Sequence, residues 1–156
     1  MAVSAKEQIV ANYETALKAI SVANGYARDV AVVDRFTLGS MDQYRNTIIE
    51  IKQGLDSKQT GALGIEERTL QLHTIVKVRH DPAVDGLATD TVLNDHEADI
   101  YKAALTDRTR GALAHDTRWI STDTIESDED GTRAVLSVNM EIDYGHLLGD
   151  ATAART

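Results

Sequence analysis

Five histidines, at positions 73, 80, 96, 115 and 146, are the residues to test first for metal or acid–base chemistry. No two of them stand at a ligand spacing. His96-Glu97 continues as Ala98-Asp99-Ile100 and so does not close a His-Glu-x-x-His motif. His96 would project from the apolar side of a helix, where a hydrogen-bonded core histidine is the ordinary reading. Asp95 and Asp99 lie one helical turn apart and are expected on the solvated side of that helix. Glu126-Ser127-Asp128-Glu129-Asp130-Gly131 imitates the start of a calcium loop, but its twelfth position is Ser137 rather than a bidentate glutamate. A solvated hairpin tip fits it better. Gly61-Ala62-Leu63-Gly64 lacks the lysine of a phosphate loop, and no serine sits in a Gly-x-Ser-x-Gly elbow. With no cysteine, thiolate chemistry is excluded. These residues assign no catalytic group, no cofactor and no metal.

Charge narrows the partners. The 156 residues carry 16 bases and 25 acids, net -9. Residues 83–156 hold six of those bases and 15 of the acids, which accounts for the whole imbalance. Such a chain should not adhere to DNA, since phosphate affinity comes from Lys and Arg displacing counterions. A membrane surface is equally unsuited, and no apolar run approaches the ~20 residues of a span. The first residues, Met1 to Glu7, lack the basic-then-apolar order of a signal peptide. Aromatic residues are 4%, too few for a stacking platform, so Trp119 and Phe36 read as core or interface anchors. The acidic excess serves solubility or, beside DNA, a repulsive wall.

Periodicity supplies the elements. Ser4 and Glu7 fit a capping box, and Ile9, Tyr13, Ala16, Leu17 and Ile20 then recur at helical spacing. A helix is expected over 5–23, with a Glu14–Lys18 pair on its open side and Asn24-Gly25 as its stop. Strands are expected over 30–36 and 47–52, with loops at 37–46 and 54–64. A long strand of alternating residues follows around 70–79 and ends at His80-Asp81-Pro82. A second helix, capped by Thr89 or Asp90, turns Leu93, His96, Ile100, Ala103 and Ala104 inward. Arg108 and Arg110 suit its C-terminal end, and Gly111 stops it. Strands at 118–126 and 132–144 complete the order α-β-β-β-α-β-β. That order predicts an α+β domain over 1–148, two helices packed on one face of a mostly antiparallel, mixed sheet of about five strands. Residues 149–156 are expected to form a flexible C-terminal tail.

Several local phrases and their order resemble the phage tail terminator family, also known as minor tail or tail completion proteins. A helix ends in Val22-Ala23-Asn24-Gly25-Tyr26 before a valine-rich strand, and a long strand runs into Arg79-His80-Asp81-Pro82. The second helix carries Ala98-Asp99-Ile100-Tyr101-Lys102-Ala103-Ala104-Leu105 and leads into Asp107-Arg108-Thr109-Arg110-Gly111-Ala112-Leu113-Ala114. The last strand ends in Glu141-Ile142-Asp143-Tyr144, so the resemblance spans about residues 8–148. Two places depart from the pattern. Asn46-Thr47 stands where a proline often precedes the second strand, and Gly54-Leu55-Asp56 stands where Gly-x-Glu often follows it.

The resemblance implies a structural virion protein, not an enzyme. It would form a ring, typically a homohexamer, that caps the head-proximal end of the tail tube and ends its growth. Its partners would be further copies of itself, the tail tube protein and a head-completion or neck protein, with genomic DNA passing through unbound. Mobile docking loops would lie at 37–46, with Asp42, Tyr44 and Arg45, and at 54–66, with Asp56, Lys58 and Leu63. An acidic lumen or hairpin patch would comprise Asp123, Glu126, Asp128, Glu129 and Asp130. Two alternatives stand beside this: a neck adaptor on the portal side, and a small α+β enzyme or ligand-binding domain.

Overall fold

A computed structural model describes residues 3–35, 47–59, 61, 63–127 and 132–155. Helix α1 spans Ala5–Lys18. The Ser4 hydroxyl accepts the Glu7 N–H at 3.1 Å and the Lys18 ammonium lies 2.5 Å from Glu14, so cap and i,i+4 pair form as the sequence predicts. The helix is shorter than expected. Ser21 is extended, one 3-10 turn covers Val22–Asn24, and Gly25 turns the chain at φ +82. The stop signal therefore closes the 3-10 turn rather than α1 itself.

Strand β1 (Val32–Arg35) runs parallel to β2 (Ile48–Gln59), and β2 is antiparallel to β3 (Ile65–Arg79). A short helix α2 (Pro82–Asp85) follows, capped by the Asp81 carboxylate on the Ala83 N–H. Helix α3 spans Thr89–Thr106. Its N-cap is Ala88, with no side-chain bond, so the expected Thr89 or Asp90 cap is displaced; the Asp90 carboxylate accepts the Thr91 N–H instead. Strands β4 (Asp116–Ser127) and β5 (Arg133–Leu147) are antiparallel. A sixth strand, β6 (Asp150–Arg155), folds back on Gly145–Leu147 of β5, so the expected C-terminal tail is an ordered edge. Gly149, at φ +82, makes the tight reversal possible. Among the described residues the strand order is β1-β2-β3-β5-β4, with β6 beside β5, which makes a mixed six-stranded sheet in an α+β fold.

Helices α1 and α3 cover one face. Ile51, Thr74, Val138 and Thr122 form one cross-strand row and point the same way. The Tyr13 hydroxyl of α1 lies 2.7 Å from Thr74 Oγ1, and the Thr122 hydroxyl donates to Glu97 of α3 at 2.6 Å. Ile9, Val10, Tyr13 and Leu17 from α1 and Ile100, Ala103 and Ala104 from α3 pack on Leu70, Leu72, Val76, Val138 and Ile142. Each large side chain buried this way contributes about 1.5–3 kcal/mol.

The expected flexible stretch at 54–64 is mostly strand. β2 continues to Gln59 and β3 begins at Ile65, with a bulge between Gln53 and Asp56. The polar, glycine-containing composition reflects the narrow turn and the bulge rather than a long loop. Gly61 marks the turn: a Cβ there would lie 2.3 Å from the Ile65 carbonyl oxygen. Gly61→Ala is expected to lower the unfolding free energy by about 1–3 kcal/mol in urea titration. An unchanged midpoint would show that the backbone relaxes freely there.

Candidate assembly surfaces

The sequence-derived docking residues separate. Asp42, Tyr44 and Arg45, with Phe36, lie outside the described residues, as do Asp128, Glu129 and Asp130. Asp56 and Lys58 are strand residues opposite Leu70 and Arg68, which corrects their assignment to a loop. Asp56 is held in place by the Lys6 ammonium at 3.2 Å and the Arg68 guanidinium at 3.5 Å, and it accepts the Tyr144 hydroxyl. Burial, with Asp56 beside it, raises the Tyr144 phenol well above its ordinary range. These groups, with Glu66 and His146, line a cleft of about 430 Å³ under the N-terminus of α1. Leu63 is fully exposed at the β2–β3 turn, and Lys58 is exposed with its ammonium 3.6 Å from Glu66. Leu148 is exposed nearby, its N–H bonded to the Gly64 carbonyl at 2.9 Å.

Asp123 and Glu126 lie on β4, the edge strand, with Asp123 accepting the Asn139 amide at 2.8 Å. β4 carries two bulges, between Trp119 and Ser121 and between Thr124 and Glu126. The extra residues are Ile120 and Ile125, both exposed, and Trp119 beside them is 42% exposed. Bulges disrupt strand addition at an edge, so this edge presents apolar side chains rather than a free ladder. Trp119 thus sits at the surface, its indole N–H bonded to Thr122 at 3.0 Å.

Among the described residues, the sheet face turned away from α1 and α3 is polar and cross-linked. Arg118 pairs with Asp143 and, at 3.1 Å, with Glu141. Burial alone would raise the Asp143 carboxyl, yet Arg118 and Thr69 hold it below its ordinary range. His73 lies 2.7 Å from Asn139, and Lys77 lies 3.0 Å from Glu50. These side chains are committed to one another, and a shallow cleft of about 170 Å³ opens among Gln71, His73, Ile120, Asn139 and Glu141.

Two polar groups under the helices were not legible as such in the sequence. Asp99 is buried, not solvated as its charge suggested, and its two oxygens accept the N–H groups of Ala27 and Arg28, each at 2.9 Å. Its neighbour one turn earlier, Asp95, pairs with the Arg28 guanidinium at 2.8 Å. The spacing of the two aspartates marks one helix face, and only the fold shows that the segment after Gly25 lies across it. Arg110, expected merely to suit the helix end, is fully buried. It donates to the carbonyls of Ala104 and Asp107 and stands 5.8 Å from the Tyr13 ring centre. Burial pushes its guanidinium below the usual range and the Tyr13 phenol up to about 12. Arg108 instead forms a two-pronged pair with Asp116. Gly111, at φ +69, sits in the turn beyond α3 and does not end the helix.

His96 is a core histidine as the sequence suggested. It lies 3.0 Å from Thr47 Oγ1 through Nε2, while its buried Nδ1 has no partner among the described residues. Burial pushes its pKa down to about 4, against the opposing pull of Asp99. No group of three or more metal-ligating side chains occurs among the described residues. No helix among them is long and apolar enough to cross a membrane. Compared with known proteins, the chain matches no family model and no curated protein.

Proposed function

We propose that this chain is a structural protein of a tailed bacteriophage that assembles as a ring on the head-proximal end of the tail tube, ends tube polymerisation and provides the joint to the neck. The observation that carries the reading is the pair of unlike sheet edges. Among the described residues, β1 (Val32–Arg35) runs beside α1, whereas the opposite edge strand, β4, is bulged and exposes Trp119, Ile120 and Ile125. A ring of identical subunits needs two different complementary patches on each copy. The order of phrases along residues 8–148, which resembles the tail terminator family, supports the same reading. So does the net charge of -9, which suits a protein that DNA passes without binding. The partners are then further copies, the tail tube protein and a neck protein, and the protein resides in the virion. Electron microscopy of tail tubes mixed with the protein tests this: a closed ring is expected at one end of each tube. Tubes left bare, or decorated along their length, would refute it.

A further inference from the structure

The cleft of about 430 Å³ under the N-terminus of α1 plays no part in the ring reading. Glu66 of β3 lies opposite His146 of β5, and Arg68 lies opposite Tyr144, which puts all four on one face of the sheet. Lys6 of α1 and Asp56 of β2 complete the polar wall, and Gly149 with the start of β6 closes the far side. The charges cancel. Lys6 lies 3.2 Å from Asp56, and Arg68 pairs with Asp56 at 3.5 Å and with Glu66. Two cations thus face two carboxylates.

One group stands outside these pairs. His146 is only 7% exposed. Its Nδ1 lies 2.9 Å from the Leu147 carbonyl oxygen, which can only accept. In the neutral ring Nδ1 therefore carries the proton, and Nε2 is a bare acceptor. Nε2 has no hydrogen-bond partner among the described residues, and the Glu66 carboxylate, 3.8 Å away, is itself an acceptor. Buried polar groups ordinarily find a partner, because leaving one unpaired is costly. Donors remain beside it: the Lys6 ammonium has three N–H bonds, and one carboxylate, Asp56, takes it.

We propose that this cleft binds a neutral, hydroxyl-rich small molecule of the sugar class, with one hydroxyl donating to His146 Nε2 and another accepting from Lys6. A hydroxyl both donates and accepts, which suits a cleft that offers a bare acceptor and spare donors at no net charge. An anion would meet Asp56 and Glu66, and a cation would meet Lys6 and Arg68, so each loses on one side what it gains on the other. An apolar molecule would leave Nε2 without a donor. The volume falls within the range of small-molecule sites. This site stands independently of the ring reading.

Nitrogen-15 spectra of the histidine rings in the full chain test it. Without ligand, His146 is expected as the Nδ1–H tautomer. Glycerol, glucose and N-acetylglucosamine are then titrated, with acetate and methylammonium as charged controls. At least one of the three neutral probes is expected to shift the His146 Nε2 signal saturably, with a dissociation constant of about 1–10 mM, and to leave His73 and His115 unmoved. His146→Phe keeps a ring and removes both nitrogens; binding, followed through the Tyr144 and Gly149 amides, should weaken about tenfold. Lys6→Met keeps the stem and removes the ammonium, and should weaken binding several-fold even if His146→Phe fails to fold. No saturable shift with any neutral probe up to about 100 mM would overturn the proposal. So would an Nε2–H tautomer in the free chain, saturation by acetate or methylammonium alone, or binding untouched by Lys6→Met.

Discussion

Asp99→Ala is expected to cost about 3 kcal/mol of folding stability. The buried carboxylate accepts two backbone N–H groups, those of Ala27 and Arg28, at 2.9 Å each. A hydrogen bond to a charged group contributes roughly 1.5–3 kcal/mol, and truncation would also leave partly buried donors without an acceptor. Asp99→Asn keeps the shape but can accept through only one oxygen, so about half the loss is expected. The effect should be local as well as global. With the clasp gone, amide exchange at Ala27 and Arg28 should rise by more than that in β3 or β5. Urea titration and hydrogen exchange measure both. A loss under about 1 kcal/mol for the alanine variant would show that water replaces the carboxylate.

Stability should fall by roughly 3 kcal/mol as pH drops from 6.5 to about 4, and His96 should be the main cause. Burial holds this imidazole's folded-state pKa near 4, while the unfolded chain binds the proton near 6.5. Between those values the unfolded state takes up the proton and the folded state does not, so acid favours unfolding. The stabilisation is fully present above 6.5 and is lost as pH falls towards the folded value. Glu14, Asp116 and Asp143 have folded pKa values held below their ordinary ones, so their share is lost only near and below the carboxylate range. The window above pH 4.5 therefore belongs mainly to His96. Urea midpoints taken across that window should slope steeply for the natural chain and much less for His96→Gln. Equal slopes would place the proton uptake elsewhere.

The elements with strong periodicity were legible. Ile9, Tyr13 and Leu17 fix α1 on the core, and the alternation from Leu70 to Val78 fixes β3, because each pattern matches one backbone period. Boundaries failed where backbone pairing overrode composition. Asp56, Ser57 and Lys58 look like a loop, yet each has a β3 partner across the hairpin. Ala151 and Thr152 carry no apolar signal, and β6 forms because Gly149 lets the chain turn back onto β5. Asp99 and Arg110 were misread for a different reason. Charge predicts exposure, but Asp99 accepts two backbone N–H groups that only the folded chain brings close, and Nη2 of the buried Arg110 donates to the carbonyls of Ala104 and Asp107 at the end of α3. The two bulges that expose Ile120 and Ile125 leave no sequence trace, since a bulge is a property of the pairing with β5.

The measurement that bears most directly on the central claim is the length distribution of tail tubes assembled from tube protein with and without this chain. Added during growth, it should stop elongation at substoichiometric amounts, leaving each arrested end closed by one ring. Tubes that grow to the same lengths with the chain present, with no ring at either end, would contradict the account.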